Sequence, residues 1–452
     1  MSADGAAAGL RWPCAAACLA ALAGCATFSD TIQSTERSLA QQQPKAALAE
    51  YEKLKPNAAD RVLYLMNTGM LQRMCGDYDA STRTLEATKR QIEDLRALSL
   101  REQALSVTVN DATKSFIGED FERVMVNNYL ALNYLERGQL DAARVEALQV
   151  DILLREKQQR TSKDNPYQED AFARYLTGII YEDEGEWSDA MIAYRKAYEA
   201  YTRQLKSFGV AMPETLKHDL IRLADRMGIA DEAKRYREEF KIDQTLSEAD
   251  LLERGEIIFV VNAGLAPLKR ERAVTAPNLA TGRIVRVAVP QYRPRAHPFA
   301  YARLSADSAT ASTSRVENVE AIAMKTLDSE IAGITARAIA RAIAKDTIAG
   351  AASAAGSNNN SSGAAGAALI GLAVNLAGVL TERADTRSWF TLPGDIHLAR
   401  LVLPPGDYKL KIDLHATDER VLESKEVKIS LRKGEKKYLS QHWIPTNLEV
   451  RP

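Results

Sequence analysis

Residues 173–197 read ARYLTGIIYEDEGEWSDAMIAYRKA, and this stretch decides the first half of the chain. Apolar residues recur every three or four positions on both sides of Gly185, the signature of two amphipathic helices joined by a tight turn. Gly178, on the first helix, is small enough to let a second helix approach closely. Gly185 supplies the turn. Trp187 opens the second helix and plugs the gap between the two, with Ala190, Tyr194 and Ala197 following on one face.

The same offsets recur upstream. Leu130, Ala131, Tyr134, Gly138, Leu140 and Ala143 repeat them clearly, Gly69, Gly76, Tyr78 and Leu85 repeat them more weakly, and Gly228, Ala233 and Tyr236 form a partial fourth copy. This resembles the tetratricopeptide repeat. The turn glycines are 62, 47 and 43 residues apart, well above that repeat's usual period of about 34. Long second helices or inserted segments must therefore separate the units, and 93–120 reads as one insertion. Helix pairs of this kind bury their faces only by stacking, so 44–246 is expected to form an all-α solenoid with a concave groove. The first helix of each pair would line that groove. This makes Arg73, Asn128, Tyr175 and Glu182 the candidate partner-binding residues.

The N-terminus carries an export pattern. Arg11 precedes a short apolar run, WPCAAACLAAL (12–22), too short to span a bilayer as a mature helix. Leu22-Ala23-Gly24-Cys25 follows, matching the lipobox at which a signal peptidase cuts and a cysteine is acylated. Residues 1–24 are thus expected to be a lipoprotein signal peptide, Cys25 the lipid acceptor, and polar, Gln-rich 25–43 a tether. Ala26, not Asp, follows the cysteine, which favours the periplasmic face of the outer membrane over the inner membrane. Cleavage would remove Cys14 and Cys18, leaving Cys75 with no intrachain partner.

The pattern changes at Gly255. EIIFVVN (256–262) and RIVRVAV (283–289) are apolar runs expected to be strands, with loops around Gly264, Pro267 and Pro277. Residues 315–346 return to helical periodicity, with Arg337, Arg341 and Lys345 four residues apart on one side. AALIGLAVNLAGVL (367–380) places Leu369, Leu372, Leu376 and Leu380 on one stripe and is read as a packed helix, not a membrane span. From 395 the text alternates as short strands around Pro404-Pro405-Gly406 and Lys433-Gly434. The expected architecture is α+β and multidomain: the helical solenoid, a mixed strand and helix domain at 255–394, and an antiparallel β module at 395–452.

Together these stretches resemble a family of bacterial tetratricopeptide-repeat lipoproteins of the cell envelope. The residues that carry the likeness are FERVMVNNYLALNYLERGQLDAARVEA (121–147), 173–197, NAGLAPLKRE (262–271) and ADTRSWFTLPGDIHLARLVLPPGDY (384–408). The resemblance implies an envelope location and no assigned activity, and it marks Asp385, Arg387 and Trp389 as a family hallmark. A net charge of -1 removes the electrostatic case for nucleic-acid binding. The five histidines are dispersed, and no metal-ligand spacing, catalytic triad or phosphate loop is present, so no cofactor or metal is expected. The reading is a non-enzymatic, lipid-anchored scaffold that recruits an envelope protein. A regulator of peptidoglycan or surface-polymer synthesis, or a cell-wall enzyme with a site assembled from distant residues, are the alternatives.

Overall fold

The computed structural model describes residues 28–102, 114–160, 165–279, 281–357 and 383–448. The leader 1–24, Cys25 and the apolar stretch 367–380 lie outside them. Helices fill the first half: α1 (Phe28–Thr31), α2 (Gln33–Ala40), α3 (Pro44–Glu52), α4 (Arg61–Met74), α5 (Tyr78–Glu102), α6 (Asp120–Glu136), α7 (Leu140–Arg160), α8 (Ala171–Asp183), α9 (Trp187–Phe208), α10 (Glu214–Arg226), α11 (Ala230–Phe240) and α12 (Glu248–Leu252). Strands and one long helix follow: β1 (Gly255–Ala263), β2 (Leu268–Asn278), β3 (Arg283–Arg293), β4 (Phe299–Ala306), β5 (Ala309–Ser312), β6 (Ser314–Asn318), α13 (Val319–Ser357), β7 (Asp395–Leu403), β8 (Gly406–Ala416), β9 (Val421–Leu431) and β10 (Lys436–Trp443).

Helices α4 to α11 form four pairs, and each helix packs on the next in sequence. The four pair turns share one geometry. Gly76, Gly138, Gly185 and Gly228 all have φ between 67° and 77°, left-handed backbone that a side chain resists. Around Gly185, the Gly185 N–H donates to Glu182 O at 3.0 Å and the Glu186 N–H to Tyr181 O at 2.8 Å. This 5→2 and 6→1 pair closes a Schellman motif, and the other three glycines repeat it. The second helices α5, α7 and α9 run to 25, 21 and 22 residues, which accounts for the wide glycine spacing. Gly178 is also explained: a Cβ there would lie 2.3 Å from Tyr194 Cδ1.

The segment read as a tether is structured from Phe28 onward. Phe28, Ile32, Thr35 and Leu39 recur on one stripe, and Ile32 and Leu39 are fully buried. Ser29 Oγ donates to Lys269 O at 2.9 Å, so α1 sits at the root of β2. The polar composition of this segment hid an amphipathic helix.

The second half is one interleaved unit, which corrects the expected boundary between 394 and 395. One sheet has the order β10-β1-β7-β6, and a second has the order β5-β4-β8-β9. Strand β1 thus lies between two strands of the presumed C-terminal module. It pairs antiparallel with β7 and parallel with β10, while the remaining pairs of both sheets are antiparallel. Every residue of β1 is buried because both faces are covered. Ile257, Phe259 and Val261 pack against Leu304, Leu410, Ile412 and Leu414 of the second sheet. Ile258 and Val260, on the other face, join the core of the helical array. The layers are therefore helices, first sheet and second sheet.

Strands β2 and β3 form a separate two-stranded hairpin, where loops were expected around Pro277. Both strands of such a hairpin have an unpaired edge, so Pro277 can sit in β2 although it lacks a donor. Val285, Val287 and Val289 of the hairpin pack on Ala338 and Ala342 of α13. Among the described residues no helix is long and apolar enough to cross a membrane.

Candidate functional site

The first helices of the pairs turn their inner side towards the first sheet. On β1, β7 and β10 the even-numbered side chains face those helices, and the polar ones other than His442 meet polar partners there. Arg73 donates to Ser440 Oγ at 2.6 Å and also to Asn133, with its guanidinium 5.1 Å from the Tyr78 ring centre. Tyr129 OH donates to Asn262 Oδ1 at 2.8 Å, and Tyr438 OH to Asp183 Oδ2 at 2.8 Å. Asn128 is buried within its own helix layer, its Nδ2 3.8 Å from Met125 Sδ. Tyr175 OH lies 2.8 Å from Thr215 Oγ1 and 3.0 Å from Asp219 Oδ2. All four positions expected to meet an external partner are buried, and Arg73 and Glu182 are bonded directly to the chain's own sheet. The groove that sequence reasoning left open for a second protein is filled by β10, β1 and β7.

Glu182 is the centre of that contact. Arg222, Lys436 and Arg400 approach its carboxylate at 2.6, 3.0 and 3.2 Å, and Tyr194 OH donates to it at 2.7 Å. Arg400 also donates to Asp219 Oδ2 at 2.6 Å and grips Glu256 through two contacts of 2.5 and 2.9 Å. Burial alone would raise the Glu182 pKa, but Arg222, Lys436 and Arg400 hold it well below the usual carboxylate range. Burial dominates at Asp219, whose pKa is raised despite Arg400 and Arg222. The sequence reading missed Arg400, Lys436, Arg222, Asp219 and Glu256. Its one available signal was a charge inside an apolar strand, Arg400 in DIHLARLVL and Glu256 at the head of EIIFVVN, since such a charge needs a buried counter-ion. A cleft of ≈ 510 Å³ opens beside this cluster, with Asp219, Arg222, Glu256, Arg400, His218 and Thr215 on its wall.

The hallmark segment lies at a different joint. Arg387 holds Asp385 through contacts of 2.9 and 2.7 Å, and reaches across to Asp60 at 3.0 Å and Lys114 O at 2.9 Å. Trp389 is 1% exposed, and its backbone N–H donates to Glu122 Oε1 at 2.7 Å. Burial, with Glu119 adding to it, pushes the Glu122 carboxyl up to about 7. Asp385 also borders a cavity of ≈ 180 Å³ between the root of the β2–β3 hairpin, α13 and the start of α6. Arg337 and Arg341, singled out in sequence as a helix stripe, line the same cavity with Lys269, Tyr292, Glu330 and Arg383. The structure thus joins two features that are about 50 residues apart in sequence; Lys345, the third member of the stripe, does not line the cavity.

A third polar cavity, of ≈ 230 Å³, has His297 and Asp395 on its wall, with His297 Nε2 3.4 Å from Asp395 Oδ2. Gly264 and Gly394 make room for that imidazole. Among the described residues no group of three or more His, Cys, Asp or Glu side chains is placed to hold a metal ion.

No protein-family model matches the chain, and no curated protein matches it. Among solved structures the chain is similar to MamA, at 16% identity over 46% of this chain and 97% of that one, with a TM-score of 0.29. It is similar to the apo form of RapI at 12% identity over 52% and 61%, TM-score 0.34. It is also similar to Bacillus thuringiensis PlcR, solved with the peptide PapR7 and DNA, at 15% identity over 47% and 70%, TM-score 0.25. TM-scores this low carry no argument about the fold or partners of this chain. The first half is defined by its own four helix pairs, closed by four like glycine turns, and by the close crossing at Gly178.

Proposed function

We propose that the chain is a lipid-anchored, non-enzymatic scaffold of the cell envelope, held by acylated Cys25 at the periplasmic face of the outer membrane and recruiting a protein partner through its outer helical face. The anchor and the location rest on Leu22-Ala23-Gly24-Cys25 and on Ala26. The choice of face rests on the filling of the inner groove by the chain's own sheet, which moves recruitment to the outside. There α7 presents Val145, Leu148 and Ile152, 50, 45 and 38% exposed, at i, i+3 and i+7 on one stripe. Scattered apolar side chains are ordinary on a surface, but a stripe with helical spacing is what an apolar helix of a partner docks against.

The test uses the full-length chain in its membrane. Val145→Glu, Leu148→Glu and Ile152→Glu together should release the co-purifying partner while leaving the melting temperature of the chain unchanged. Retention of the partner by the triple variant would place recruitment elsewhere. Cys25→Ser should abolish palmitate labelling and release the protein from membranes. Unchanged label and sedimentation would remove the anchor from the reading.

A further inference from the structure

The ≈ 180 Å³ cavity at the root of the hairpin is built from buried polar groups whose bonding is incomplete. Tyr292 is 6% exposed and lines the cavity, yet its hydroxyl makes no hydrogen bond of normal geometry among the described residues, although the Lys269 ammonium interacts with it. A buried hydroxyl left unbonded is costly unless something else completes it. Lys269 is also buried, stands 3.0 Å from Glu119, and lies over the Tyr292 ring at 5.2 Å from its centre. Asp385 is bound by Arg387. The acids Glu119 and Asp385 are thus already engaged. Glu330 is the third acid on the wall, and burial, followed by the charges of Glu119 and Asp120, raises its pKa, so it resists being charged there. Arg337 and Arg383 stand on the same wall, and Arg337 is exposed at the mouth. Arg341 and Thr326 also line it, and the apolar part of the wall is formed by Phe121, Ala323, Leu327 and Ile334.

Unengaged donors over an apolar floor select an acceptor-only head on a short hydrocarbon. We infer that this cavity binds a carboxylate joined to a small apolar group, with the carboxylate taking hydrogen bonds from Tyr292 OH and the Arg337 and Arg383 guanidiniums. A cavity of roughly 150 Å³ accommodates a six-carbon ring, so this one suits a ligand of about that size. Two sources have this chemistry: a free short-chain acid, and the C-terminal residue of a peptide whose chain leaves through the mouth at Arg337. The inference is independent of the scaffold reading, because it involves neither α7 nor Cys25.

Titration calorimetry of the full-length chain in detergent, with butyrate and with acetyl-alanyl-alanine, tests it. Saturable binding of at least one acid is expected, and the tighter of the two identifies the source. Tyr292→Phe should weaken it about tenfold or more, the loss of one hydrogen bond to a charged group, and Arg383→Ala should weaken it as well. Without ligand, Tyr292→Phe should keep or raise the wild-type melting temperature, because the hydroxyl it deletes is unbonded. Absence of saturable binding by both acids overturns the inference. So does binding that Tyr292→Phe and Arg383→Ala leave unchanged, or a fall in melting temperature of ligand-free Tyr292→Phe, which would mean the hydroxyl is already used by the fold.

Discussion

Arg400→Leu is the sharpest test of the claim that the helical array is closed on the chain's own sheet. Arg400 makes contacts of 2.6 Å with Asp219, 2.5 and 2.9 Å with Glu256, and 3.2 Å with Glu182, all between side chains no more than 7% exposed. Leucine keeps much of the aliphatic stem and removes every one of these contacts. Three buried carboxylates would then face only Arg222 and Lys436. Removing one partner of a buried ion pair costs about 3–5 kcal/mol. The ≈ 510 Å³ cleft beside Asp219 and Glu256 lets water reach two of the stranded acids, which places the expected loss near the lower end, about 3 kcal/mol. The sign of the pH dependence follows. Without Arg400 the folded pKa of Asp219, already raised by burial, rises further above its unfolded value. The penalty is then full above that folded pKa and fades as the pH falls to the unfolded carboxylate range, near about 4. Denaturant unfolding of the full-length chain in detergent, followed by circular dichroism and tryptophan fluorescence, measures it at neutral and acidic pH. Arg400→Leu combined with Asp219→Asn should recover part of the loss at neutral pH. A loss below about 1 kcal/mol, the scale of a solvent-exposed pair, or one that does not shrink on acidification, refutes the buried latch.

Three further outcomes are expected. Gly178→Ala should destabilise by about 1–3 kcal/mol and Gly178→Leu by more, since Tyr194 stands 2.3 Å from the new Cβ and its hydroxyl is tied to Glu182; an unchanged melting temperature would mean that the helices do not cross there. Burial, with Arg315 and His297 opposing the help of Asp395, holds His397 down to about 4, and burial with Arg73 holds His442 down to about 3. A base whose folded pKa is depressed contributes stability above its unfolded value, near about 6.5, and that stability drains as the pH falls towards the folded value, by about 3 kcal/mol for His397. His397→Leu should flatten the acid limb of a stability–pH curve, and an unaltered limb would acquit His397. Finally, residues 367–380 should not insert into a bilayer. The chain without residues 1–25 should be monodisperse in the absence of detergent, whereas partitioning wholly into membranes, relieved by Leu372→Asp and Leu376→Asp without unfolding, would show insertion.

Some of this protein was legible in the sequence, and the reasons are local. A glycine with positive φ at the end of a helix, a small residue about two turns before it and an aromatic just after it are short-range requirements, so 173–197 specified its helix pair unaided. The continuous apolar run of β1 likewise announced a strand covered on both faces, because no half-exposed strand tolerates it. What covers β1 was not local information. Its neighbours β7 and β10 come from more than 130 residues downstream, and a parallel partner leaves no mark in the spacing of either strand. The same applies to the groove. Arg73, Tyr175 and Glu182 look alike on a helical wheel whether the face before them meets solvent, a second protein or the same chain. Only the tertiary structure brings Arg400 and Lys436 to Glu182, and the low polarity of that closed interface turns three unremarkable side chains into its latch.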